Sequence, residues 1–319
     1  MNAIDRSPLT PPPEPGFGSS DASDLQFHVP GHHSPDYSTS NSSPKSGSSL
    51  VPNCSEMPGY RDLTGRIRRE TGSMFPSHAG GFADIYIGYL EDDEINTKSL
   101  VRETTVWQQL NHPNILPFLG LVSDFGRSGC PSLISPYCEN GTAPEYLRSH
   151  TDQDTRLSLI RGVANGLDYL HENKVVHGDL KPSNILIHDA GHPLLCDFGQ
   201  SKILSSRGFT TKQTGATRYQ APELFLGETL GKPADVYSFS MTSYEIWTGK
   251  TPFSEILNDV VIALSIIQRD ARPQMPEPPP PQVDRIWPIF EACWKKTPED
   301  RISIGAVLER LDSAFDSYR

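Results

Sequence analysis

Asp179, Lys181 and Asn184 fall within one six-residue stretch, and Asp197 follows 13 residues after Asn184. The Asp-x4-Asn spacing lets a single loop present a proton acceptor and a cation-binding oxygen side by side. Transfer of a phosphoryl group from ATP to a hydroxyl needs such a set. It takes a carboxylate beside the acceptor, oxygen ligands for a cation, and positive charge near the migrating phosphate. Asp179 can accept or orient the hydroxyl proton, and Lys181 can neutralise the phosphoryl group. Asn184 and Asp197 offer oxygens suited to Mg²⁺, a hard cation that keeps several waters and substrate phosphates in its shell.

Flanking elements must hold these residues. Leu157, Ile160, Val163, Ala164, Leu167 and Leu170 recur at helical spacing and predict a helix ending near His171. Val175-Val176 and Ile185-Leu186-Ile187 are β-branched runs on either side of the polar loop. Upstream, residues 82–88 alternate roughly and predict a strand, and 100–110 predict a helix ended by Asn111-His112-Pro113. Apolar runs at 115–122 and 133–137 predict two more strands. Downstream, 235–247 is apolar on most faces and predicts a buried helix. Ile304, Val307, Leu308, Leu311 and Phe315 mark a final amphipathic one, and 276–281 is a proline-rich connector. A small β-rich part thus precedes a larger helical part.

The 319-residue chain is 36% hydrophobic, enough for a sizeable core. Its net charge of -11 argues against a general nucleic-acid binder, which needs a basic surface. The 5 cysteines are scattered and fit a reducing compartment rather than a disulfide framework or zinc site. No apolar run approaches the ~20 residues of a membrane span, and no signal-peptide core is seen. The expected location is the cytosol, with the nucleus open. Residues 1–58 are Ser- and Pro-rich with few apolar side chains, and are expected to be a disordered tail.

The stretch His177-Gly178-Asp179-Leu180-Lys181-Pro182-Ser183-Asn184, followed by Asp197-Phe198-Gly199 and Ala221-Pro222-Glu223, resembles the eukaryotic protein kinase family. His112-Pro113-Asn114-Ile115 and Cys293-Trp294 match as well. The resemblance covers about residues 60–319. It implies an α+β bilobal fold over 59–319, with a truncated β-rich N-lobe (about 59–136) and a helical C-lobe (about 139–319). It also implies ATP and Mg²⁺ as cofactors, and a protein as substrate or partner. Asp179 and Lys181 would be catalytic, and Asn184 and Asp197 would bind metal. Pro136 and Cys138 at the hinge would meet the adenine edge, with Ser135 as a small gatekeeper. Ile85 and Leu186 would sandwich the ring, and Gly80 and Gly81 would approach the phosphates. Glu223 would pair with Arg301, and Asp235 would anchor the catalytic loop. Trp107, Phe118, His177 and Phe198 would stack between the lobes. Asp179-Leu180-Lys181-Pro182 is similar to serine/threonine kinases, while Gly215-Ala216-Thr217-Arg218-Tyr219 resembles tyrosine-kinase-like sequences. His177-Gly178-Asp179 also resembles small-molecule phosphotransferases, but those lack Ala-Pro-Glu and its arginine.

Departures from the pattern bear on activity. Gly178 replaces the usual arginine that binds an activation-loop phosphate. His78, Gly80 and Ala83 stand at the three glycine positions of the phosphate loop, and Ala216 replaces a Ser or Thr. The strand carrying the ATP-positioning lysine is missing. Glu103 matches the partner of that lysine, but the stretch from Gly88 to Glu103 is too short for a strand, a connector and the first helical turns. Lys98 lies too close to Glu103 to serve. A charge-assisted hydrogen bond in a dry site contributes about 1.5–3 kcal/mol, on the order of ten- to a hundred-fold in rate. A catalytically inactive pseudokinase, acting as a scaffold or allosteric partner, is the alternative. A sheet without a central strand must be rebuilt by neighbouring chain or left loose.

Overall fold

The computed structural model describes residues 24–30, 62–69, 78–79, 83–90, 106–122, 132–203 and 217–315. Ten strands and seven helices lie within them. The first six strands are β1 (Asp24–Pro30), β2 (Ile67–Arg69), β3 (His78–Ala79), β4 (Ala83–Leu90), β5 (Gly120–Val122) and β6 (Ser132–Pro136). They form one sheet in the order β2-β4-β1-β6-β5, with β3 also on β4. Beneath it Leu63, Val122 and Ile134 make a small separate core.

The large lobe begins with α1 (Ala143–Tyr146) and α2 (Gln153–Glu172), then β7 (Val175–Val176), β8 (Ile185–Ile187), β9 (Pro193–Leu195) and β10 (Lys202–Ile203). Helices α3 (Pro222–Phe225), α4 (Lys232–Thr248), α5 (Asp259–Arg269), α6 (Val283–Cys293) and α7 (Ile304–Phe315) complete it. Helix α2 starts where the Asp152 carboxylate accepts from the Thr155 backbone N–H at 2.7 Å, a side-chain N-cap. All six of its periodic residues but Leu157 are fully buried. Gly166 lets it approach the main chain at Asn114, because a Cβ there would lie 2.8 Å from the Asn114 carbonyl oxygen. Asn114 in turn donates through Nδ2 to the Pro193 carbonyl, and its own carbonyl accepts from Leu195 N–H. The His-Pro-Asn-Ile motif therefore ties the α2 face to the β8–β9 hairpin. Helix α4 is buried on nearly every face, as its apolar composition predicts.

Two expectations need correction. Residues 24–30, expected to be tail, form β1, which pairs with β4 on one side and β6 on the other. The small-lobe sheet therefore includes chain upstream of residue 59. The remainder of 1–58 lies outside the described residues. The strand expected over 115–122 is confined to Gly120–Val122. Ile115 and Leu116 are apolar because they are buried against β9, where Leu116 N–H donates to the Leu195 carbonyl. The helix expected over 100–110 lies mostly outside the described residues; Val106 and Trp107 are helical and a turn follows them.

Candidate active site

The loop between β7 and β8 is fixed from below by one carboxylate. Asp235, 1% exposed on α4, accepts from His177 N–H at 2.8 Å and Gly178 N–H at 2.9 Å. Its Oδ2 also lies 2.9 Å from His171 Nε2 at the end of α2. Asp235 thus ties this loop to α4 and to the end of α2. His171 is a partner that the sequence reading missed; its only signal was its place in the last turn of the helix.

His177 is fully buried. Its Nδ1 accepts from Asp179 N–H at 3.3 Å, so Nε2 carries the proton and donates to the Cys196 carbonyl at 3.1 Å. The imidazole therefore braces the strand that leads into Asp197 against the start of the loop. Its ring lies 5.4 Å from Phe198, Phe198 lies 5.9 Å from Trp107, and Trp107 lies 5.2 Å from Phe118. These contacts form a continuous aromatic stack from His177 through Phe198 and Trp107 to Phe118.

Asp179 is 8% exposed. Its Oδ2 accepts from Lys181 Nζ at 2.6 Å and from Asn184 Nδ2 at 3.1 Å. Asn184 Nδ2 also donates to the Asp179 carbonyl at 2.8 Å. Among the described residues, Asp179 Oδ1 accepts no hydrogen bond, so one carboxylate oxygen is held and the other is available. Engaging the Asn184 amide nitrogen leaves its oxygen as the ligand atom. The β8–β9 register places Ile185 opposite Leu195, and Cys196 N–H donates to the Asn184 carbonyl at 3.1 Å. Asn184 and Asp197 therefore flank the same end of one hairpin. Asp197 takes a left-handed conformation, φ 61° and ψ 74°, an uncommon state for a residue other than glycine that marks functional sites. One carboxylate and one amide oxygen fit Mg²⁺, and Asn184 and Asp197 would hold it with nucleotide phosphates and waters as its further ligands.

On the hinge side, Pro136 ends β6 and Cys138 follows it, 4% exposed. Burial, with Asp189 adding to it, pushes the Cys138 thiol up to about 12. It stays protonated at neutral pH and is a packing residue rather than a nucleophile. Leu186 is buried on β8 and bridges to Thr142, just past the hinge. Ile85 is the third residue of β4. Gly80, Gly81, Lys98, Glu103 and Ala216 lie outside the described residues.

The end of the activation segment is clamped. Arg301 and Glu223 form a two-bond pair, Nη1–Oε1 and Nη2–Oε2 both 2.7 Å. Arg218, absent from the expected site, donates to the carbonyls of Pro252, Phe253 and Ile256. Tyr219 donates to Glu245 Oε2 at 2.6 Å, and its carbonyl accepts from Ser238 Oγ.

Gly178 has a backbone role beyond the loss of an arginine. Its φ is +82°, where a Cβ crowds the carbonyl and costs about 1–2 kcal/mol. We expect Gly178→Arg to lower the melting temperature by about 2–4 °C for each kcal/mol lost. A melting temperature equal to wild type in a calorimetric scan would show that the loop does not hold this conformation.

Among the described residues, no helix is long and apolar enough to cross a membrane. Residues 86–311 match the family model of the protein kinase domain. Serine/threonine-protein kinase STY17 of Arabidopsis thaliana is 26% identical, aligned over 84% of this chain and 49% of its own length. Seven transmembrane domain-containing tyrosine-protein kinase 1 of Dictyostelium discoideum is 33% identical over 67% of this chain and 31% of its own. Mitogen-activated protein kinase kinase kinase 13-A of Xenopus laevis is 28% identical over 74% and 24% respectively. This chain spans half or less of the length of these relatives. The matched region contains the anchored loop, Asp197, the clamped Glu223 and Arg301, and on that match the chain belongs to the eukaryotic protein kinase superfamily.

Proposed function

We propose that this chain binds Mg²⁺–ATP between its lobes and phosphorylates serine or threonine hydroxyls of protein substrates in the cytosol or nucleus. The observation that carries this reading is the Asp179 carboxylate. One of its oxygens is held by Lys181 and Asn184, and the other is available to an acceptor hydroxyl. Mg²⁺–ATP, the general cofactor of the family, supplies the activated phosphoryl group. Asp179 orients the hydroxyl and takes its proton. Lys181 adds positive charge beside that position, and Asn184 and Asp197 hold the cation. The preference for serine and threonine is supported by the Asp179-Leu180-Lys181-Pro182 sequence and by the name of the Arabidopsis relative, a serine/threonine-protein kinase, whereas the Dictyostelium relative is named a tyrosine-protein kinase.

A second reading, a pseudokinase that binds partners without transferring phosphate, is supported by β1. Its sequence, Asp-Leu-Gln-Phe-His-Val-Pro, brings no lysine to the central position of the small sheet. Two measurements separate the readings. The first is thermal shift with ATP, with and without Mg²⁺. The second is phosphate incorporation into a generic protein acceptor. A Mg²⁺-dependent shift with transfer to serine or threonine is the expected result. A shift without transfer favours the pseudokinase, and no shift at millimolar ATP would sink the enzyme reading.

A further inference from the structure

Among the described residues, the small-lobe sheet is continuous only through β1. Strand β4 pairs with β1, β2 and β3, and β6 pairs with β1 and β5. Among the described residues, no ladder joins β4 to β6 directly. Taking β1 away divides the sheet into two pieces, each with an edge of unpaired backbone groups. Such an edge readily accepts another strand.

The register places this strand at the centre of the candidate nucleotide cleft. His28 stands opposite Ile85. Gln26 stands opposite Ser135 and Leu25 opposite Pro136. Ile85 on β4 and the hinge after β6 are the two small-lobe positions assigned to the adenine. Their spacing is set by the strand between them.

We propose that the slot between β4 and β6 is a strand-accepting site. Its occupant is residues 24–30 of the same chain, docked reversibly, and the nucleotide cleft is competent only while they are docked. The coupling to nucleotide rests on the function proposed above; the docking does not. The covalent tether favours this occupant over a second copy. The segment lies far from the slot in sequence, with the whole of 31–61 between Pro30 and Asp62. Even at ~3.3 Å per residue that tether is far longer than the sheet is wide. A covalent tether also raises the effective concentration to the order of millimolar, above that of free copies at micromolar protein. Recognition runs through main-chain pairing on both sides, so it needs an extended, alternating segment rather than a hairpin partner. The segment has that pattern, with Leu25, Phe27 and Val29 alternating with Gln26 and His28.

Proline substitution provides the test, because a proline within a central strand removes a ladder hydrogen bond, whereas in an unpaired tail it is silent. In the full-length protein, Phe27→Pro should expose the amides of 85–89 and 133–135 to hydrogen exchange by at least ten-fold. The α4 amides should stay protected, which shows that the large lobe remains folded. The apparent Kd for ATP should rise at least ten-fold, and Ala22→Pro, outside the strand, should change neither. A second variant pairs Gln26→Cys with Ser135→Cys, which should cross-link within one chain under mild oxidation. Unchanged exchange in Phe27→Pro would overturn the docking, and a cross-link between chains would overturn the same-chain occupant. Lost protection with unchanged ATP affinity would overturn the coupling. If the wild-type sheet is protected but no nucleotide binds, the coupling falls together with the proposed function, while the docking stands on its amide protection.

Discussion

Asp179→Asn is expected to abolish most phosphoryl transfer while leaving nucleotide binding intact. The substitution nearly preserves shape and removes the charge. Positioned proton transfer contributes about 10²–10⁴ in rate, and the loss should fall wholly on kcat. The geometry makes the separation of effects sharp. Asp179 Oδ2 faces Lys181 Nζ at 2.6 Å, and Oδ1 is the oxygen left for the acceptor. An amide placed here can still meet Lys181 through its oxygen, but its nitrogen then faces the acceptor position as a donor. That group cannot accept a hydroxyl proton. The cation ligands Asn184 and Asp197 are untouched, so the Mg²⁺-dependent thermal shift with ATP should match that of wild type. Initial rates at saturating ATP measure the first effect. A kcat reduced less than three-fold would remove Asp179 from the proton-accepting role.

The site was legible in the sequence where chemistry is packed into short spacing. Asp179, Lys181 and Asn184 share one loop, and their mutual contacts follow from covalent proximity alone. Asp197 was legible as a residue, but its neighbourhood with Asn184 depends on the β8–β9 hairpin, which only the two short β-branched runs hinted at. The Glu223–Arg301 pair spans 78 residues of chain. No local pattern announces it; the family resemblance did. Gly178 shows a different limit. Its residue type was visible, but the positive φ that favours glycine is set by the two N–H groups converging on Asp235.

The small lobe was the least legible part, and β1 shows why. Averaged over 1–58, the N-terminal composition is that of a chain that cannot bury enough apolar surface to offset its ordering entropy. Within it, Leu25, Phe27 and Val29 alternate with polar residues, the signal of a half-buried strand. A composition average over the whole segment hides a motif of that length. Its pairing partners, β4 and β6, come much later in the chain, and long-range strand pairing leaves no mark in local sequence. The same limit applies to 115–119, where an apolar run reports burial but not backbone conformation.

Arg301→Ala should strongly destabilise the large lobe. The Arg301 side chain is fully buried and Glu223 is nearly so. Removing one partner of such a pair leaves an uncompensated buried charge, which costs about 3–5 kcal/mol. For a domain of this size that is a fall of roughly 6–20 °C in melting temperature. The two sides of the pair are not equivalent. Arg301 also donates to the carbonyls of Lys295, Pro233 and Lys296, and its guanidinium lies 5.2 Å over the Tyr237 ring. Its loss strips all of these contacts and strands a carboxylate. Glu223→Ala strands a guanidinium that keeps three carbonyl partners, so it should cost clearly less. The double variant should cost less than the sum of the singles, because the stranded charge is gone. Arg301→Lys should not rescue, since an ammonium cannot make the paired bonds to both carboxylate oxygens. Calorimetry on the four variants checks the ordering. Equal losses for the two alanine variants would overturn the asymmetry, and an Arg301→Ala shift below about 2 °C would show that the clamp does not stabilise the large lobe.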